Sequence, residues 1–185
     1  GNSAPEAVKL ELTDAEKAFV KEHPVIRTMA LPDWPPIEFR DKRGNYKGVA
    51  AEIAQLAAGR AGLELEPVFG VWSDLLKKLR NKEVDLAPDI FHTPERDTYL
   101  EFTEPFLQMY DAIFTQTGMG DIGSAADLQG TTVAIEDGYA TLELLSSGHP
   151  DVDLLVVPNT LEALKAVSSG KADAYVGSQM VASYL

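Results

Sequence analysis

"WSDLLKKLRNKEVDLAPDIFHTPERDTYLEFTEPF", residues 72–106, decides how the rest of the chain is read. Leucines recur at helical spacing among lysines and arginines, so the spacing predicts a helix over 73–83 with Ser73 as its cap. The short apolar run "VDLAPDI" (84–90) predicts a strand, and His92-Thr93-Pro94 breaks it. A helix feeding a strand that opens into a polar loop is the repeating unit of an α/β protein, in which ligands gather at the carboxyl ends of strands.

The same order extends in both directions. Upstream, Thr13 and Glu16 form a capping-box pattern at the head of a helix over 12–23, which His23-Pro24 should end. "VIRTMAL" (25–31) reads as a buried strand, and "PDWPPIEFRDKRGNYKG" as a loop and hairpin turning at Arg43-Gly44-Asn45. A helix over 49–62 stops near Gly62, and "LELEPVF" (63–69) alternates as a strand. Downstream, strands are expected at 111–116, 131–137, 153–158 and 172–177, with helices over 139–147 and 160–169 and a helical start at the end. The glycine-rich "TGMGDIG" follows no strand into a helix and reads as a linker. "LLKKLRNKEVDLAPD" and "EALKAVSSGKADAYVG" share a helix–turn–strand pattern opened by Asp85 and Asp173, which suggests two lobes of related topology.

Composition narrows the function classes. Sixteen basic against 29 acidic residues give a formal charge of −13, which argues against nucleic acid and against anionic membrane surfaces. Partners are therefore expected among small molecules and other proteins. There is no cysteine, so thiolate metal sites, disulfides and cysteine nucleophiles are excluded. No apolar run reaches the roughly 18–20 residues that span a bilayer as a helix. The opening "GNSAPEA" reads as a mature or trimmed N-terminus.

Catalytic and metal signatures are not found. His23, His92 and His149 lie far apart without ligand spacing, His23 and His149 each precede a proline at an expected helix end, and no nucleophile elbow occurs. No metal and no cofactor is expected. Arg96 stands out instead. Its guanidinium is a planar fork suited to a carboxylate, with the Thr93 hydroxyl and the amides of an opening helix close by in sequence. The competing reading pairs Arg96 with Glu95, Asp97 or Glu101 on a solvated helix. Trp34, in a proline-stiffened loop, is either a cleft wall or a partly buried loop aromatic. Gly138, Tyr139, Ala140 and Thr141 lie between a strand and a helix, where free amides could face an anion or simply form a turn.

In order and content, "PDWPPIEFRDKRGNYKGVAAEIAQLAA", the quoted 72–106 segment, "ADLQGTTVAIEDGYATLELL" and "SSGKADAYVGSQMVASYL" resemble the family 3 solute-binding proteins, the amino-acid-binding kind of the type II periplasmic binding fold. The lead-in "LTDAEKAFVKEHPVIR" resembles that of the modules serving as extracytoplasmic sensors of bacterial histidine kinases. The resemblance implies two lobes, 25–110 and 111–185 after a lead-in over 1–24, each with a mostly parallel sheet flanked by helices. These would close on a small carboxylate or amino-acid-like solute on the periplasmic side of the membrane. It implies that Arg96 holds a carboxylate with Thr93 beside it, that Trp34 walls the cleft, that Gly138–Thr141 approach from the second lobe, and that Asp89 and Phe91 line the floor. Where the family usually has an acidic residue for the ligand's amino group, this chain has Ser178, so Asp89 is a candidate substitute. The family's chain returns to the first lobe beyond the point where "VASYL" stops, so the sequence reads as a fragment whose bared surface could self-associate. A free transport receptor and an enzyme of the same fold, such as a dehydratase, are the competing functions.

Overall fold

The structure is a computed structural model that describes residues 10–120 and 122–185. The reading of "GNSAPEA" lies outside the described residues, as does Asp121 within the linker segment. Helix α1 (Asp14–Glu22) begins at the capping box: Glu16 N donates to Thr13 Oγ1 at 3.3 Å, while Thr13 N donates to the Glu16 carboxylate at 2.6 Å. His23 caps its end, as the His-Pro step predicts.

The N-terminal half is built on β1 (Val25–Ala30) and β5 (Glu64–Phe69), paired in parallel from Val25 with Glu64 to Ala30 with Phe69. Between them lie the short antiparallel strands β2 (Asp33–Trp34), β3 (Glu38–Arg40) and β4 (Tyr46–Lys47) and helix α2 (Val49–Ala61), closed by Gly62 in the left-handed region. Helix α3 (Trp72–Arg80) buries Trp72, Leu75 and Leu79 on one face, the amphipathic pattern visible in the sequence. Its N-cap is Val71 without a side-chain bond, so the expected Ser73 cap is corrected: the helix starts one residue before that serine.

The strand expected over 84–90 is reduced to a single bridge between Leu86 and Thr28. Asp85 and Leu86 donate to Arg27 O, and Met29 N donates to Leu86 O, after which the chain leaves the sheet at Pro88, which has no N–H to continue the ladder. The helix expected to open after Thr93 is likewise one 3-10 turn, Arg96–Thr98, too short to carry the field of a helix end.

The C-terminal half is a four-stranded sheet of order β6-β9-β7-β8, from β6 (Asp111–Thr115), β7 (Thr132–Glu136), β8 (Asp153–Val157) and β9 (Ala174–Ser178). Strand β7 is parallel to both neighbours and β6 runs antiparallel to β9. Buried on both faces, β7 turns Val133 and Ile135 toward Leu145 of α4 (Ala140–Gly148) and Ala134 toward Ala163 and Ala166 of α5 (Thr160–Ser168). The last helix, α6 (Gln179–Tyr184), sends Val181 back into the core formed by Met29, Trp34, Ile37 and Trp72. His149 caps α4, again at a His-Pro step.

Candidate functional site

The two halves meet where the segment after Leu86 passes the turn between β7 and α4. Gly138 occupies the left-handed region at φ +75°, and a Cβ there would lie 3.2 Å from Leu76 Cδ1 and 3.4 Å from Trp72 Cδ1. Only glycine brings the turn this close to α3 without strain. Its carbonyl accepts two donors from the N-terminal half, Trp72 Nε1 at 3.0 Å and Arg96 Nη2 at 3.2 Å.

Arg96 is buried, at 4% exposure. Its Nη1 donates to Phe91 O at 2.6 Å, and its Cζ lies 5.8 Å from the Trp72 ring centre. Desolvation lowers its pKa from the usual arginine value. None of the acidic neighbours considered from sequence holds it: Glu95 pairs with Arg80, and Asp97 with His92 at 2.7 Å. Thr93 Oγ1 accepts from the Arg96 backbone N–H at 3.3 Å.

Tyr139 follows Gly138 into a slot between two tryptophans, edge-on to Trp34 at 6.2 Å and to Trp72 at 5.4 Å between ring centres. What remains is a cavity of about 20 Å³ lined by Leu31, Trp34, Trp72, Asp89, Phe91, Arg96, Tyr139 and Ala140. That is room for one water-sized group. Six residues singled out in sequence therefore converge: Trp34, Asp89, Phe91, Arg96, Tyr139 and Ala140. The others do not line this cavity. Thr141 donates to Asp111 at 3.1 Å, in a separate outward groove that also includes Thr93. Ser178 caps α6, accepting from Val181 N at 3.4 Å.

Behind the cavity lies a buried acid pair. Glu38, at 1% exposure, accepts the Tyr46 hydroxyl at 2.5 Å, and burial raises its pKa to about 7. Neither carboxyl oxygen of Asp89 receives an N–H or a hydroxyl; its neighbour is the Glu38 carboxyl, and desolvation with that like charge raises its pKa well above the ordinary range. The indole N–H of Trp34 is also buried without a partner. Trp72, Glu38 and Tyr46 were not singled out from sequence. Trp72 stands at the head of a helix whose pattern explains it as core, and Glu38 looks like any polar residue of a short strand.

Among the described residues, no three metal-ligating side chains cluster and no helix is long and apolar enough to cross a membrane. The chain is 31% identical over 171 residues to the virulence sensor protein BvgS of Bordetella pertussis, matching 91% of this chain and 14% of that protein. It is 27% identical over 186 residues to the sensor protein EvgS of Escherichia coli K12, matching 100% of this chain and 15% of that one. The chain thus spans about a seventh of the length of these relatives. The crystal structure of the Bordetella pertussis BvgS periplasmic VFT2 domain superposes with a TM-score of 0.79 at 29% identity, over 94% of this chain and 74% of that one. The sequence profile of bacterial extracellular solute-binding proteins, family 3, matches residues 26–169, and the chain belongs to that family.

Proposed function

We propose that the chain is the periplasmic ligand-sensing module of a membrane-anchored histidine kinase, and not itself an enzyme. In this reading, residues 25–110 and 111–185 are two lobes that close on a small solute, and closure is the signal passed to the rest of the parent protein. The observation that carries it is the bridge at Gly138, where Trp72 and Arg96 of one half hold a carbonyl of the other. A hydrogen bond from a charged donor contributes about 1.5–3 kcal/mol, the scale on which open and closed forms of such clamps differ. Arg96 is thus a latch whose strength sets the population of the closed form, and the Tyr139 ring is the group a solute displaces from the slot.

The family supports a binding role and the sensor relatives support a signalling one. The test is a thermal-shift screen of amino acids, small amines and small carboxylates on wild type and Arg96→Ala. A solute present at 100 times its Kd adds about 2.7 kcal/mol of stability. Arg96→Ala is expected to stay folded and to lower affinity for any hit at least tenfold; equal affinity in the two proteins would remove Arg96 from the account.

A further inference from the structure

We propose that the buried Glu38–Asp89 pair makes the clamp acid-sensitive: a proton shared by the two acids keeps the halves latched at Gly138, and its loss to solvent as pH rises releases Arg96. This rests on the two-lobed reading above and adds its regulation, with no solute required. Three observations carry it. The oxygens of Asp89 are buried without an N–H or hydroxyl donor, and the group beside them is a second acid, Glu38, that the Tyr46 hydroxyl holds in place. Two carboxyls so placed cannot both be charged, so the fold holds them as a pair that shares a proton. Asp89 lies two residues before Phe91, whose carbonyl takes one terminal nitrogen of Arg96 while the Gly138 carbonyl takes the other. Finally, Asp89, Arg96 and Tyr139 line one cavity of about 20 Å³, walled by both halves.

Parting the halves opens that cavity to water, so the pair ionises more easily in the open form than in the closed one. The closed form therefore binds the proton more tightly, and acid favours closure. A charge left on Asp89 acts in the same direction, drawing the guanidinium in its own lining away from the Gly138 carbonyl. The charged and titratable groups facing the pair are Tyr46 from β4, Tyr139 from the β7–α4 turn, and Arg96. Burial, then nearby acids, push both phenols up, so neither ionises near neutrality. Arg96, though lowered by its burial, starts from a value far above neutrality, and the carboxylates acting on it are Glu143 and Glu95 in the outer groove. His92 shares the segment but pairs with Asp97 at 2.7 Å and packs on the Phe102 ring. Glu38, raised by burial to about 7, puts the change of charge near neutral pH.

Spin labels on Lys77→Cys of α3 and Ser146→Cys of α4, both exposed along the groove between the halves, read closure directly. At about pH 6 one short distance is expected. Toward about pH 8 a longer population should grow, the short-to-long ratio falling by up to about tenfold per pH unit. Glu38→Gln and Asp89→Asn should each abolish that pH dependence, and His92→Gln should keep it. A distribution that is the same at both pH values in the otherwise wild-type chain would overturn the inference, whether or not either acid variant folds. So would a pH dependence that survives in folded Glu38→Gln, or one that is lost in His92→Gln. Arg96→Ala, measured with the same labels at about pH 6, separates the two readings. A lengthened distance there beside a flat pH profile leaves the clamp standing and removes only its control by acid; if neither moves, both fall.

Discussion

Two buried carboxyl sites, one in each half, are met by the fold to different degrees. Glu136, at the carboxyl end of β7, is fully buried, and its Oε1 accepts the Thr160 hydroxyl at 2.7 Å and the Tyr175 hydroxyl at 2.8 Å. The Tyr175 ring stacks on Phe114 and lies over Gly177, so Oε1 of this acid is held by a rigid shell, while its Oε2 is buried without a partner. Asp89 has no such shell, only the neighbouring acid Glu38, and it lines the remaining space between the halves. Desolvation raises the pKa of all three. The difference lies in how much of the hydrogen-bonding need the fold itself meets. A carboxyl with two fixed donors ties strands and helix together, whereas one left without a donor at a junction is available to something that arrives.

The sharpest way to break this contrast is on the Glu136 side. A Cβ at residue 177 would lie 2.0 Å from the Tyr175 hydroxyl, so Gly177→Ala must push the phenol away from Glu136. A loss of roughly 3 kcal/mol or more is expected from urea denaturation, combining overpacking with a broken buried bond. A loss under 1 kcal/mol would mean that the shell yields easily.

On the other side the handle is pH. Glu38 stands at about 7 when folded against an ordinary 4.5. A raised carboxyl pKa means that the folded state binds more protons, so its stabilising share is complete below about pH 4.5, falls as pH rises, and is gone above 7. At about 1.4 kcal/mol per unit, the decline amounts to about 3 kcal/mol. Glu38→Gln should flatten that part of the stability–pH curve; an unchanged slope would place the proton elsewhere. The smallest effect is expected from Tyr175→Phe, which leaves Glu136 one of its two hydroxyls and should cost about 1–3 kcal/mol.

Much of the fold is legible because its cues are local. Thr13 and Glu16 are three residues apart, Gly62 directly follows its helix, and β7 advertises its burial by an apolar run. The strand expected at 84–90 failed for an equally local reason that its composition hid: Pro88 ends the ladder after Leu86. In the site, Arg96, Trp34, Asp89, Phe91, Tyr139 and Ala140 were reachable through the family resemblance, but their contacts were not. Trp72 reaches Gly138 across 66 positions and Arg96 reaches it across 42, distances at which no periodicity speaks. The function of Glu38 is invisible in "IEFR", because a buried acid and an exposed one are spelled alike.

The central claim is that the two halves form a clamp latched at Gly138, and it is open to a direct distance measurement. The chain has no cysteine, so Lys77→Cys on α3 and Ser146→Cys on α4, both exposed and facing one groove between the halves, accept spin labels specifically. In the Arg96→Ala background the distance between them should lengthen and broaden relative to the parent, as the latch loses its charged donor. An identical, narrow distribution in both would show that the halves are held together without it, and would contradict the clamp.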